Sequence, residues 1–70
     1  MSVVKVIELV GQSERSWEDA VQTAVHEAAK TVRNITGVEV LNWTGDVSDA
    51  GDITSYRADV QIAFVVEPES

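Results

Sequence analysis

The last apolar segment of the chain alternates strictly between apolar and polar residues, and no other feature restricts the fold as strongly. Over residues 55–66, an extended chain would have one apolar side and one side that begins with four polar residues. A period of two is typical of a half-buried antiparallel strand. The apolar side consists of Tyr56, Ala58, Val60, Ile62, Phe64 and Val66, and the polar positions are Ser55, Arg57, Asp59 and Gln61.

This predicted strand is long for so short a chain, because typical strands have about five or six residues. We predict one domain over residues 1–70, and a domain of this size is marginally stable unless something adds to its core. The sequence has no Cys and one His. Disulfides, thiolate zinc sites and multi-histidine sites within one chain are therefore excluded. Oligomerisation is the leading remaining way to complete the core.

The charge balance is strongly acidic, with 12 acidic residues, 5 basic residues and a formal net charge of −7. This balance argues against nucleic-acid binding, which needs a basic face. It favours a solvated acidic surface or, alternatively, a cation site. No apolar run approaches the roughly 18 residues of a membrane span, and the amino end does not resemble a secretory signal. We therefore expect a cytoplasmic protein without membrane contacts.

Three further elements precede the last strand. Residues 3–10 are rich in Val and Ile and predict a strand that Gly11 ends. Residues 17–33 have the i, i+3, i+4 spacing of an amphipathic helix, with Ser16 as the N-cap and Asn34 as the stop. Residues 36–44 predict a second strand, residues 45–52 a Gly- and Asp-rich turn, and Pro68 the end of the last strand. The predicted class is α+β with the order β-α-β-β, a three-stranded antiparallel sheet packed on one helix.

The sheet face away from the helix is also expected to carry apolar residues. In the second strand, Val38 and Val40 would point to one side and Glu39, Leu41 and Trp43 to the other. With Ala63 and Val65 from the last strand, these residues would make the outer face partly apolar, which is typical of an interface.

The chain resembles the dodecins in three landmarks, namely VIELVGQSERSWEDA, TVRNITGVEV and SYRADVQIAFVVE. The resemblance covers nearly the whole chain and implies a sheet that wraps around the helix. It also implies a homododecamer, twelve copies of the chain in a hollow shell.

The resemblance implies a flavin site in most dodecins, but two of its residues are missing here. The tryptophan that stacks on the flavin falls at Gly37, within the stretch 34–40. The glutamine that hydrogen-bonds the flavin edge falls at Arg57, after Tyr56. The family's flavin sandwich therefore does not carry over, and Gly37, Glu39, Trp43 and Arg57 would line what remains of the pocket.

The chain looks closer to the calcium dodecins, a branch of the family that also lacks that tryptophan. Its residues 16–18 and 46–54 are similar to stretches of that branch. Asp46, Asp49 and Asp52 could supply carboxylate oxygens to calcium. Asp and Gly are also ordinary turn formers, so a plain turn is the alternative.

Trp43 and Arg57 also have two interpretations each. Trp43 would fill a subunit interface or stack on a ligand in place of the missing tryptophan. Arg57 would form an ion pair with Glu39, across the strands or across a subunit interface, or it would bind an anion. Trp17 is expected in the core and His26 in solvent or against the helix.

No nucleophile, base and acid are arranged for catalysis, so we expect a protein that is not an enzyme. The preferred function is binding or storage of a divalent cation, calcium above all, by a homododecameric shell. One alternative is storage of flavin (FMN or riboflavin) in a modified pocket that uses Trp43 and Arg57. The other alternative is a structural shell without a specific ligand.

Overall fold

The computed structural model describes residues 2–66 and confirms the predicted β-α-β-β order. The end of the last strand at Pro68 lies outside these residues. The elements are β1 (Val3–Ser13), α1 (Trp17–Ala29), β2 (Ile35–Val47) and β3 (Ile53–Val66).

The three strands form one antiparallel sheet in the order β1-β3-β2, so the strand with the strictest alternation lies in the centre. On its helix side, Ile62 pairs with Ile7 of β1 and Val38 of β2. The predicted apolar side of β3 is confirmed, since its middle three residues are buried. They pack on three helix alanines, and the buried core consists of Ala20, Ala24, Ala28, Ala58, Val60 and Ile62.

The helix starts where it was predicted to start but ends earlier. Ser16 is the N-cap, and its hydroxyl accepts a hydrogen bond of 3.0 Å from the Asp19 amide. The predicted end at residue 33 is wrong, because α1 ends at Ala29 and Lys30 caps it. The chain then turns, and Asn34 has a positive φ of 63° and accepts a bond from the Val65 amide. Asn is among the few residues that tolerate this left-handed conformation.

Gly11 does not end the first strand, contrary to the prediction. β1 continues to Ser13, and Gly11 is buried where the helix crosses the strand. A Cβ atom at this position would lie 1.9 Å from the Ala20 carbonyl oxygen and 3.1 Å from the Ala24 Cβ. The helix therefore approaches the sheet at Gly11 more closely than a side chain at this position would allow.

Strand β2 is longer than predicted and contains an irregularity that changes its faces. The register shifts between Val40 and Asn42, so Leu41 has no direct partner on β3. Trp43 then pairs with Ala58, whose side chain lies in the core. Because directly opposed residues share a face, Trp43 lies on the helix side. Its predicted place on the outer face is wrong.

The helix leaves much of the sheet uncovered. It packs mainly on β1 and β3, so that Val38 and Trp43 of β2 are 44% and 50% exposed on the helix side. On the outer face of β1, three valines are more than half exposed, namely Val4, Val6 and Val10. The described residues form a thin body of 58 × 19 × 12 Å, and none of their helices is long and apolar enough to cross a membrane.

Candidate functional site

Three aromatic side chains meet beside the start of the helix. Trp17 lies at the first helical position, and the bulge in β2 brings Trp43 next to it, with ring centroids 6.2 Å apart and planes at 87°. Tyr56 of β3 contacts Trp17 in the same edge-to-face manner, at 4.7 Å and 80°. The Trp17 indole Nε1–H donates a bond of 2.8 Å to the Thr44 carbonyl oxygen. These contacts hold Trp17 in one orientation, so it belongs to an aromatic cluster at the edge of the core.

A cavity of about 430 Å³ opens at this cluster. Ser16, Trp17, Glu18 and Trp43 line it. Two tryptophans and one glutamate therefore border the same space, on the side of the sheet that the helix occupies. A cavity of several hundred Å³ that aromatic residues border is typical of sites for small molecules. The sequence pointed to both tryptophans, but it did not bring them together, because it placed Trp43 on the other side of the sheet.

The four residues predicted to line one pocket are divided between the two sides of the sheet. Gly37 pairs with Ala63 and Glu39 with Gln61, both on the outer face, whereas Trp43 lies on the helix side. A Cβ atom at Gly37 would meet nothing within 4 Å, so this position faces open space. Trp43 therefore cannot replace a side chain at Gly37 within the same chain.

Arg57 pairs with Asp46, so the predicted pairing with Glu39 across the strands of one chain is wrong. The guanidinium donates to both oxygens of the Asp46 carboxylate, with 3.0 Å between Nη1 and Oδ2. The Ser55 hydroxyl donates to the same carboxylate at 2.7 Å. The hydrogen bonds from Arg57 and, to a smaller extent, from Ser55 lower the pKa of Asp46. Arg57 pairs with Asp46 because the strand register sets Arg57 opposite Thr44 and next to Asp46.

The three turn aspartates do not form a metal site within one chain. In residues 2–66 no group of three or more Asp, Glu or His side chains is placed to hold a metal ion. Both Asp46 oxygens already accept hydrogen bonds, as described above. The turn itself is closed by the Asp52 amide, which donates to the Ser48 hydroxyl at 3.2 Å, and by Gly51 at a φ of 89°. Calcium binding at Asp49 and Asp52 remains a prediction that needs ligands from elsewhere.

A pair of carboxyl groups on the outer face was missed in the sequence. Glu8 of β1 and Asp59 of β3 are diagonal neighbours, since Glu8 pairs with Gln61 and Val10 with Asp59. Asp59 raises the pKa of Glu8, because a protonated Glu8 can donate a hydrogen bond to the Asp59 carboxylate and because the two negative charges repel each other. The Asp59 Oδ1 atom is buried and has no hydrogen-bond partner. A protonated Glu8 would supply that partner. The sequence signal for this pair was two outward-facing acidic residues on strands that pair with each other.

Comparison with known proteins gives consistent results. The family model described as Dodecin matches residues 3–67. A protein named calcium dodecin from Mycobacterium tuberculosis is 40% identical over 68 residues, which cover 97% of this chain and 94% of that protein. A dodecin from Thermus thermophilus is 37% identical over 65 residues and covers 93% of both chains.

The solved structures agree with the fold described above. A crystal structure of a Thermus thermophilus protein superposes with a TM-score of 0.91 at 35% identity, and it covers 99% of this chain and all of that one. The crystal structure of the Mycobacterium tuberculosis calcium dodecin, described as calcium-chelating with a novel calcium-binding site, has a TM-score of 0.79 at 36% identity. It covers 99% of this chain and 97% of that one.

Proposed function

This chain belongs to the dodecin family, and we propose that it forms a homododecameric shell that binds a divalent cation, calcium in particular, without catalysing a reaction. The observation that carries the proposal is the 40% identity to a calcium dodecin over 97% of the chain. We also place the chain nearer to that relative than to dodecins that stack a flavin on tryptophan, since the resemblance assigns the stacking position to Gly37.

The exposed apolar surface supports assembly. Within residues 2–66, six apolar residues are buried in the core, whereas nine large apolar side chains are at least 40% exposed. Burial stabilises by about 25 cal/mol per Å² of apolar surface, and here much of that surface can be buried only against other copies. In the described sheet, β1 and β2 are both edge strands. Because open strand edges favour pairing or burial, the geometry fits a subunit better than an isolated monomer.

The acidic hairpin turn supports the cation. Asp49 and Asp52 lie in an exposed turn, and their oxygens are the hard ligands that calcium prefers. Two carboxylates do not complete its six to eight ligands, so the site we propose is completed by a neighbouring subunit. Asp46 is left out of the proposed ligand set because Arg57 and Ser55 occupy its oxygens.

The flavin alternative has weaker support. Gly37 offers no ring to stack on, and the Arg57 guanidinium is already engaged by Asp46. Trp43 lies on the opposite side of the sheet from both. If a modified flavin pocket existed, riboflavin fluorescence would be quenched saturably by the protein.

Native mass spectrometry on protein purified without flavin or chelator tests the assembly and the ligand together. We expect twelve times the chain mass with bound calcium. A bare twelve-fold mass that takes up no added calcium would favour the structural shell, and a monomer mass would contradict the assembly.

The turn is tested by the double variant Asp49→Asn, Asp52→Asn. Calcium at 100 times its Kd should stabilise the wild type by about 2.7 kcal/mol, and the double variant should lose this gain. Glu14→Gln with Glu27→Gln is the control, because it removes the same charge from exposed positions outside the turn. An unchanged calcium response in the turn variant would refute this site without affecting the assembly.

A further inference from the structure

The cavity beside the helix start differs from the cation site proposed in the hairpin turn, because tryptophans border it. Trp17, Trp43 and Glu18 are among its lining residues, and the two tryptophan rings contact each other edge to face. We propose that this cavity binds a compact organic cation of the alkylammonium class. The ammonium group would lie against the aromatic rings, with its charge balanced by Glu18.

The angle between the rings selects this class of ligand. The two indole planes meet at 87° with centroids 6.2 Å apart. A planar aromatic ligand needs parallel faces to be sandwiched, and two perpendicular rings do not provide them. A roughly spherical cation can contact both walls of a right-angled corner, because the ring quadrupole attracts positive charge within about 6 Å of a centroid.

The electrostatics also favour a cation. Of the four lining residues, the charged one is acidic, and the whole chain carries a net charge of −7. The Trp17 N–H is already bonded to the Thr44 carbonyl, so this indole offers the cavity its π face more than a donor. An anion would meet the Glu18 carboxylate and the negative faces of two rings.

The corner is organised before any ligand arrives. The Thr44 bond and the edge-to-face contact with Tyr56 fix Trp17 against the sheet. Trp43 is 50% exposed in the single chain, and the test below includes the outcome in which a neighbouring copy covers it. The site also lies on the opposite side of the sheet from Arg57 and Asp46, and the proposal stands independently of calcium binding.

The test is a titration of the assembled protein, in chelator at constant ionic strength, with choline followed by tryptophan fluorescence. The matched probe is 3,3-dimethylbutan-1-ol, which has the shape of choline without its charge. We expect a saturable change with choline and at least about fivefold weaker binding of the neutral alcohol. Equal binding of the two probes, or no saturable change with choline, would overturn the proposal.

Three variants locate the site. Trp43→Ala should weaken choline binding at least about fivefold, with Trp17 still present as the reporter. Glu18→Gln should weaken it about two- to fivefold. Glu27→Gln removes the same charge about 13 Å further along the helix, beyond the screening length of about 8 Å, and should leave binding unchanged.

The charge variants keep the test valid if Trp43→Ala disturbs the assembly. Equal effects of Glu18→Gln and Glu27→Gln would mean that choline responds only to net charge, which would overturn the site. Native mass spectrometry of each variant checks the subunit number. If the assembly loses copies in Trp43→Ala and the wild type binds no choline, we would conclude that a neighbouring copy fills the corner. This result would also refute the proposal.

Discussion

Replacing Gly11 with alanine should separate the helix from the sheet. The added Cβ atom would lie 1.9 Å from the Ala20 carbonyl oxygen, although real Cβ contacts essentially never fall below 3.0 Å. The helix or the strand must therefore move by about 1 Å. The obstacle is a backbone carbonyl in the middle of a helix, and it cannot be relieved by a change of rotamer.

The magnitude follows from what that movement disrupts. Overpacking a core costs about 1–3 kcal/mol when side chains can adjust, and a gap of 0.5–1 Å forfeits about a quarter to a half of each dispersion contact. Here the contacts at risk are those of the alanine face of the helix with β3, which form most of the core. We expect a loss of about 3 kcal/mol or more. For a domain of this size the melting temperature should fall by about 12–24 °C.

Gly37→Ala is the matched control. The same atom is added to a glycine of the same sheet, but it meets nothing within 4 Å. Alanine is favoured over glycine inside a strand by about 0.5–1 kcal/mol, so this variant should be unchanged or slightly more stable. Both variants should be melted at one protein concentration, since the proposed assembly would make the melting temperature concentration-dependent. Equal melting temperatures for the two variants would refute the close-contact reasoning.

Three further predictions concern the charged pairs and the helix cap, and the two pairs should respond to pH in opposite ways. Because its folded pKa is raised by Asp59, the contribution of Glu8 to stability is complete below the ordinary glutamate pKa of about 4.3 and is lost as pH rises through the folded value. Glu8→Gln should therefore stabilise the protein at pH 7, by a margin that shrinks in acid. The pKa of Asp46 is lowered, so Asp46→Asn should destabilise at pH 7, and its effect should disappear as pH falls from about 4 through the lowered value. Urea unfolding from pH 3 to 7 measures the stability effect of both variants. Stability differences from the wild type that do not vary with pH would contradict both predictions. Ser16→Ala removes the cap and should reduce stability by about 0.5–2 kcal/mol; an unchanged melting temperature would count against the cap.

The features that depend on sequence neighbours could be predicted. The alternation over residues 55–66 identified the buried side of β3, and Ser16 marked the helix start. Each of these signals needs only a few adjacent residues, because side-chain period and capping geometry are local properties. The order of the elements followed from the same local patterns.

The features that depend on strand pairing could not. The alternation in β2 was continued through Leu41, but a single unpaired residue there exchanges the faces of everything that follows. That shift brings Trp43 to Trp17 and Asp46 to Arg57. Nothing in the local sequence distinguishes a regular strand from a bulged one at that residue.

Gly11 shows the same division between local and long-range information. By itself, a glycine after an apolar run predicts a break in the strand, and only the crossing helix shows that its missing side chain makes room for Ala20. The sequence by itself therefore determined which elements form and which side of β3 is buried. The tertiary structure decided which side chains meet, because the register between strands and the approach of the helix are set by contacts between residues far apart in the chain.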